Sequence, residues 1–180
     1  MNPFAAVSAP ICILALWAVA CGLYDLIRRR LPNSLTLGAQ VAVLAAYAVT
    51  GEGWLELPLS SALAGWVLAL VMTMPGYVFK KLGAGDVKLF TAMGLFGGVD
   101  AVLITFVVAG LLSGVTVILW LAAYRGFFLL SPLLARLGLS CAGVPEPKGR
   151  FLPFGAALAV GFLVALLAAA SGVSLLSLQE

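Results

Sequence analysis

Apolar residues run in long blocks along this chain, separated by short clusters of Lys, Arg, Pro, Gly and Asn. A helix needs roughly 20 consecutive apolar residues to cross about 30 Å of hydrocarbon. Measured against that length, the blocks predict helices over Ala5–Leu26, Ser34–Thr50, Leu57–Phe79, Gly85–Gly98, Ala101–Tyr124 and Phe151–Leu175. The expected fold class is all-α: a polytopic membrane protein, a bundle of six transmembrane helices forming one domain over residues 1–180. The fourth block is the shortest. Its 14 or so residues rise roughly 21 Å, so this helix is expected to be flanked by protein or by a locally thinned bilayer.

Composition agrees with a membrane chain: 63% of residues are hydrophobic and 9% charged, where soluble domains carry about a quarter charged residues. The charges also predict an orientation, because short cytoplasmic loops accumulate Lys and Arg. Arg28, Arg29 and Arg30 follow the first helix, Lys80, Lys81 and Lys88 flank the turn after the third, and Arg125, Arg136, Lys148 and Arg150 lie between the fifth and sixth. These are all 10 basic side chains of the chain. The opposite connections carry Glu52, Glu56 and Asp100, with Glu180 at the C-terminus. Both termini are therefore expected on the non-cytoplasmic side. A fourth segment that failed to cross would export the most basic loop, so the charge pattern requires it to span.

Ala18-Val19-Ala20-Cys21 faintly resembles a lipoprotein cleavage site. No Lys or Arg precedes it and the apolar run continues to Asp25, so an uncleaved first helix is expected. The isolated Cys12, Cys21 and Cys141 form no CxxC pair or disulfide framework and are read as small buried residues. Histidine is absent. That removes Ser-His and Cys-His nucleophile pairs and the HExxH zinc site, and no ligand set for a tetrahedral metal remains. No metal, no cofactor and no nucleic-acid partner is expected.

The chemistry left is that of carboxylates. Asp25, in Tyr24-Asp25-Leu26-Ile27-Arg28-Arg29-Arg30-Leu31-Pro32-Asn33, and Asp86, in Gly83-Ala84-Gly85-Asp86-Val87-Lys88-Leu89, fall at the same, cytoplasmic edge of the predicted bundle. A carboxylate in a membrane segment is costly enough to be read first as functional. Two in one low-dielectric site resist ionising together, share a proton and titrate as a pair. One member then accepts a proton while the other donates, which is what peptide hydrolysis requires. Gly83 and Gly85 would give the backbone around Asp86 freedom and let a substrate strand approach. Structural readings stand beside these: Asp86 as a helix cap, and Asp25 paired with Arg28 or Arg29 one turn on.

At these residues the chain resembles the type IV prepilin leader peptidases, membrane aspartic proteases of the GxGD class. Gly83–Leu89 is similar to the family's most specific motif, Asp25 with Arg30–Thr36 to the segment carrying its first catalytic aspartate, and Leu152-Pro153-Phe154-Gly155-Ala156-Ala157-Leu158-Ala159 to the Pro-aromatic-Gly element opening its last helix. The resemblance implies removal, at the cytoplasmic face of a bacterial inner membrane, of the short leader of a prepilin or pilin-like precursor, after the leader's terminal glycine. It implies Asp25 and Asp86 as the catalytic pair, with Gly83, Gly85, Pro153, Phe154 and Gly155 shaping the site. Pro153 and its neighbours also fit a plain helix start. Larger members carry an N-terminal domain with paired CxxC cysteines, associated with methylating the new N-terminus. No such pairs occur here, so methylation is not expected and the small peptidase-only type of tight-adherence (Flp) pilus systems is implied.

Lys88, two positions beyond Asp86, is expected to point away from it and snorkel to the interface. Arg28–Arg30 are read as an anchor to lipid headgroups. Gly94–Gly98 and Gly110–Gly114 are spacings that let helices pack closely. Residues 125–150 are too apolar for a free loop and are expected to lie on the cytoplasmic leaflet. Trp17, Trp54, Trp66, Trp120 and the tyrosines are read as packing or interface anchors. Among rivals, presenilin-type proteases carry a Pro-Ala-Leu element not seen here, and lipoprotein signal peptidases act at the outer face. The non-enzyme alternative is a small proton- or ion-coupled transporter or channel subunit using Asp25 and Asp86 as relays, against which stands the lack of an inverted repeat.

Overall fold

The computed structural model describes residues 9–51, 53–55, 57–136 and 153–172. These residues form five helices and no strand: α1 (Ala9–Arg28), α2 (Asn33–Thr50), α3 (Leu59–Val78), α4 (Ala84–Arg136) and α5 (Phe154–Ala170). The all-α expectation holds. Pro32, Pro58 and Pro153 directly precede α2, α3 and α5, where a missing N–H and a fixed φ suit a helix start. Arg29 closes α1 with φ 52°, its N–H donating to Asp25 O at 2.8 Å.

Four of the described helices are long and apolar enough to cross a membrane; α5, at 17 residues, is an apolar helix just below that length. Large apolar side chains point outward along them, among them Leu16, Ile27, Val49 and Phe79. In water such surface would drive aggregation; in a bilayer it meets hydrocarbon.

The predicted fourth and fifth helices belong to one element, α4, broken at Gly98. Phe90 and Phe106, eight residues either side of the break, have ring centroids 6.1 Å apart, whereas a continuous helix would hold them roughly 24 Å apart along its axis. The chain therefore doubles back at Gly98, and the two legs of α4 run antiparallel. Gly98 has φ 67° and ψ −160°, a region essentially closed to residues with a Cβ, and an added Cβ would lie 2.8 Å from Ser61 Oγ. Gly98→Ala is expected to cost about 1–3 kcal/mol, read as a lowered thermal midpoint of the detergent-purified protein.

The second leg departs from expectation at its far end. The spanning helix was expected to stop at Tyr124 and give way to a segment lying on the leaflet; the helix continues to Arg136. Between Arg125 and Arg136 only Gly126, Ser131 and Pro132 interrupt a run of aliphatic and aromatic residues. The remainder of the expected leaflet segment, with Lys148 and Arg150, lies outside the described residues, as do Cys141, Glu52, Glu56 and Glu180.

Helix α4 is the hub: α2, α3 and α5 pack on it, while α1 joins the bundle chiefly through α5. The closest crossing is between α3 and the first leg of α4. The inner face of α3 is a stripe of small residues, Ala62, Gly65, Ala69 and Thr73. A Cβ at Gly65 would lie 2.6 Å from both Gly94 O and Gly98 C, and one at Gly94 would lie 2.5 Å from Gly65 O. The expected Gly94–Gly98 spacing thus does bring backbones together. Gly110 and Gly114 do not act in this way: among the described residues nothing lies within 4 Å of a Cβ placed at either. Trp17 and Trp54 pack on Phe96, with ring centroids at 5.2 and 5.9 Å, which places both, half-buried, against the core.

Candidate active site

The alternation of the helices brings the end of α1 and the starts of α2, α4 and α5 to one end of the bundle. Asp25 lies one turn before the end of α1 and Asp86 in the first turn of α4. Both are buried, at 4% and 1% exposure. They line the same cavity, of about 220 Å³, together with Arg29, Arg30, Leu31 and Gly85. Two carboxyl groups from helices far apart in sequence thus share one small pocket.

Asp25 is held from outside its own helix. The N–H of Ala156, in the first turn of α5, donates to Asp25 Oδ2 at 3.1 Å. One turn before Asp25, Gly22 lets α1 press on α5, since a Cβ there would lie 2.9 Å from Ala159 Cβ. At Gly155 the space is taken by the acid itself: a Cβ would lie 2.8 Å from Asp25 Oδ2 and 3.2 Å from Leu31 Cδ1. The pairing of Asp25 with Arg28 or Arg29 that the sequence allowed is replaced by this contact with α5.

Asp86 keeps the capping role that its position suggests, because Gly83 N–H donates to Asp86 Oδ2 at 3.3 Å. Such a reach back from the third helical residue is half of a capping box. It does not remove the side chain from the cavity. Gly83 and Gly85 lie outside the positive-φ region, where the described glycines are Gly51, Gly98 and Gly172. Gly85 instead leaves room: a Cβ there would approach Leu31 Cβ to 3.3 Å. Leu31 therefore wedges between Gly85 of α4 and Gly155 of α5, fixing the α1–α2 turn against both helix starts. Pro153 and Phe154 supply the start of α5, and neither lines the cavity.

Beside the pair, Lys88 Nζ donates to Asn33 Oδ1 at 3.0 Å, tying α4 to the start of α2. One turn deeper, Gln40 donates to Lys88 O at 2.9 Å and Thr91 Oγ1 at 3.1 Å and accepts from Trp66 Nε1 at 3.2 Å. This amide joins α2, α3 and α4 behind the site. Arg29 and Arg30, exposed as headgroup anchors would be, also line the acid cavity. Leu31, the Ala156 amide and Gln40 are parts that sequence reasoning missed. Gln40 alone carried a signal, as an amide in the middle of an apolar helix. Among the described residues no cluster of His, Cys, Asp and Glu could hold a metal.

The type IV leader peptidase family matches the chain over residues 12–118, a segment that contains both aspartates, the Arg29–Arg30 turn and the glycines around Asp86. The chain belongs to the type IV leader peptidase family. It is a peptidase and a multi-pass membrane protein, and the family's substrates are pilin precursors in general. The match ends before Pro153, so the part played by α5 rests on the geometry above. No curated protein and no solved structure matches the chain significantly.

Proposed function

We propose that this leader peptidase is an aspartic endopeptidase in which Asp25 and Asp86 act together to remove the short leader of a prepilin or pilin-like precursor, cutting after the leader's terminal glycine. The observation that carries the reading is the shared cavity, in which two buried carboxyl groups within the family-matched segment face one space. Like charges in such a site resist simultaneous ionisation. The ionised member takes a proton from water as its oxygen attacks the scissile carbonyl carbon, and the protonated member gives its proton to the carbonyl oxygen. Collapse of the resulting diol passes a proton to the leaving nitrogen as the C–N bond breaks, giving a carboxyl and an amine terminus and restoring the shared proton.

The antiparallel legs of α4 support six crossings, with the first leg short and the cavity on the side that carries the basic residues. By the positive-inside pattern that side is cytoplasmic. A precursor with its hydrophobic helix in the inner membrane and its leader in the cytoplasm would reach the pair there.

Coexpression of a tagged prepilin with this protein, followed by N-terminal mass analysis, tests the proposal. Loss of a leader-sized fragment ending in glycine is expected. A folded, membrane-inserted protein that leaves the precursor and a second pilin-like substrate uncut would overturn it. Gly155→Ala offers a sharper check on geometry. Its methyl group would lie 2.8 Å from Asp25 Oδ2, too close for the carboxyl to stay where it is, and an ångström of displacement in a reacting group lowers rates by about 100-fold. The variant is expected to lose about that factor in kcat with substrate KM little changed.

A further inference from the structure

We propose that the seam between α1 and α2 is the seat of the precursor's membrane helix. The helix lies in the groove that these two helices leave open, runs parallel to α2, and presents the bond at its cytoplasmic end to Asp25 and Asp86. This rests on the leader-peptidase reading above and adds to it the surface that holds the substrate.

The groove follows from how α1 and α2 are tied. A turn of four residues, 29–32, joins them, and helices joined so closely ordinarily pack as antiparallel neighbours. Here they part: α1 packs on α5, and α2 on α4. Two adjoining recesses lie between them and share Ile13 and Trp54. The inner one, of about 250 Å³, runs along α2 from Ser34 and Leu35 to Ala42 and is lined also by Trp17 and Phe96. The outer one, of about 470 Å³, continues past Ala46 to Thr50. The groove thus follows α2 for roughly 24 Å, most of the thickness of the hydrocarbon. Trp17 ties its walls together, Nε1 donating to Leu35 O at 3.0 Å.

The site determines the occupant. The bond to be cut lies between a cytoplasmic leader and a membrane helix, so that helix leaves the acid cavity toward the far side of the bilayer. α2 runs the same way from the same end. Leu31 lines the acid cavity, and Leu35, one turn on, lines the groove. The other flanks are closed by packed helices among the described residues. α5 presses on α1 at Gly22, α3 meets the first leg of α4 at Gly65 and Gly94, and Trp66 joins α3 to Gln40 of α2. The α2 wall of the groove is made of Gly38, Ala42 and Ala46, small residues that let a second helix come close, and close packing is what holds helices together in lipid. A lipid chain gains little there over its place in the bilayer, whereas a helix tethered by a bound leader stays beside the groove at high effective concentration.

Filling the groove tests this. A Cβ at Gly38 meets nothing within 4 Å among the described residues, and Ala42 is exposed, so Gly38→Leu and Ala42→Leu place side chains in the groove without crowding the bundle. Ala48→Leu, at a residue exposed on α2 outside both recesses, is the control. For the purified full-length protein, kcat/KM is measured for a tagged prepilin and for a peptide made of its leader and the first residues after the cut, without the membrane helix. The ratio of the two values is expected to fall at least about tenfold in both groove variants, the effect that a methylene-sized misfit in an apolar pocket already has. It is expected to hold in Ala48→Leu.

A ratio unmoved in the groove variants, or both substrates slowed alike, overturns the docking assignment while wild-type cleavage upholds the leader-peptidase reading. A wild type that cuts neither substrate overturns both. Photo-crosslinking gives a second measurement, independent of how the filled variants fold. In the Asp86→Asn protein, a photoreactive residue at position 42 or 46 should capture the tagged prepilin through its membrane helix, and one at position 48 should not. Adducts with lipid alone, or with a second copy of this chain in place of the prepilin, overturn the proposal, as does equal capture from position 48.

Discussion

Replacing either Asp25 or Asp86 by Asn is expected to reduce leader cleavage by at least about 1,000-fold, since each position supplies one half of an acid–base step whose parts are worth about 100- to 10,000-fold each. The substitution is nearly isosteric and keeps the local contacts. In Asp25→Asn the new amide oxygen can still accept from Ala156 N–H, and in Asp86→Asn from Gly83 N–H. Folding should therefore survive, and removing a buried acid relieves desolvation, so the thermal midpoints are expected to stay level or rise. Asp25→Glu should be as inactive as Asp25→Asn, because the carboxyl already sits so close to α5 that a Cβ at Gly155 would come within 2.8 Å of Oδ2. The measurement is cleavage in membranes with each variant at matched abundance. Activity within tenfold of wild type in either Asn variant would mean that the pair does not perform the chemistry, however well it is placed.

Two kinds of information lie behind that expectation, and they differ in how far the sequence carried them. Both aspartates were legible because a carboxylate in an apolar block is costly and conspicuous. Helix starts were legible where proline marked them, as at Pro32 and Pro58. The reversal in α4 was legible as a gap between two apolar blocks, though not that one glycine in a Gly-only conformation makes the turn. Past Tyr124 the helix runs on because residues 125–136 contain aliphatic and aromatic side chains that suit a helix as well as a leaflet-bound segment. The wall of the site was the least legible part. Leu31 reads as one more leucine until Gly85 and Gly155 are seen to make room for it, and the role of Ala156 resides in its backbone. Arg29 and Arg30 carried two readings, topology and site, and charge counting favours the first at every basic cluster.

Glycine spacing shows the same divide and leads to the largest stability effect expected of the scaffold. Gly94–Gly98 and Gly110–Gly114 share one spacing, but only the first faces a neighbour among the described residues. A methyl group at Gly65 or Gly94 would meet backbone atoms of the opposing helix at 2.5–2.6 Å, and a backbone cannot rotate aside as a side chain does. The α3–α4 crossing would have to open along its length. That would pull Trp66 from Gln40, the amide that α2 holds against the start of α4. Overpacking of an ordinary core costs about 1–3 kcal/mol; at this crossing Gly65→Ala and Gly94→Ala are each expected to cost at least about 3 kcal/mol, a large part of a typical domain's 5–15. Gly110→Ala and Gly114→Ala, with open space around them, should be neutral or gain up to about 1 kcal/mol from helix propensity. Thermal unfolding of the four variants in one detergent separates the cases. Midpoints for Gly65→Ala and Gly94→Ala within about 2 °C of wild type would show that the helices do not cross backbone to backbone, and the seat of Asp86 on the first leg of α4 would need to be redrawn.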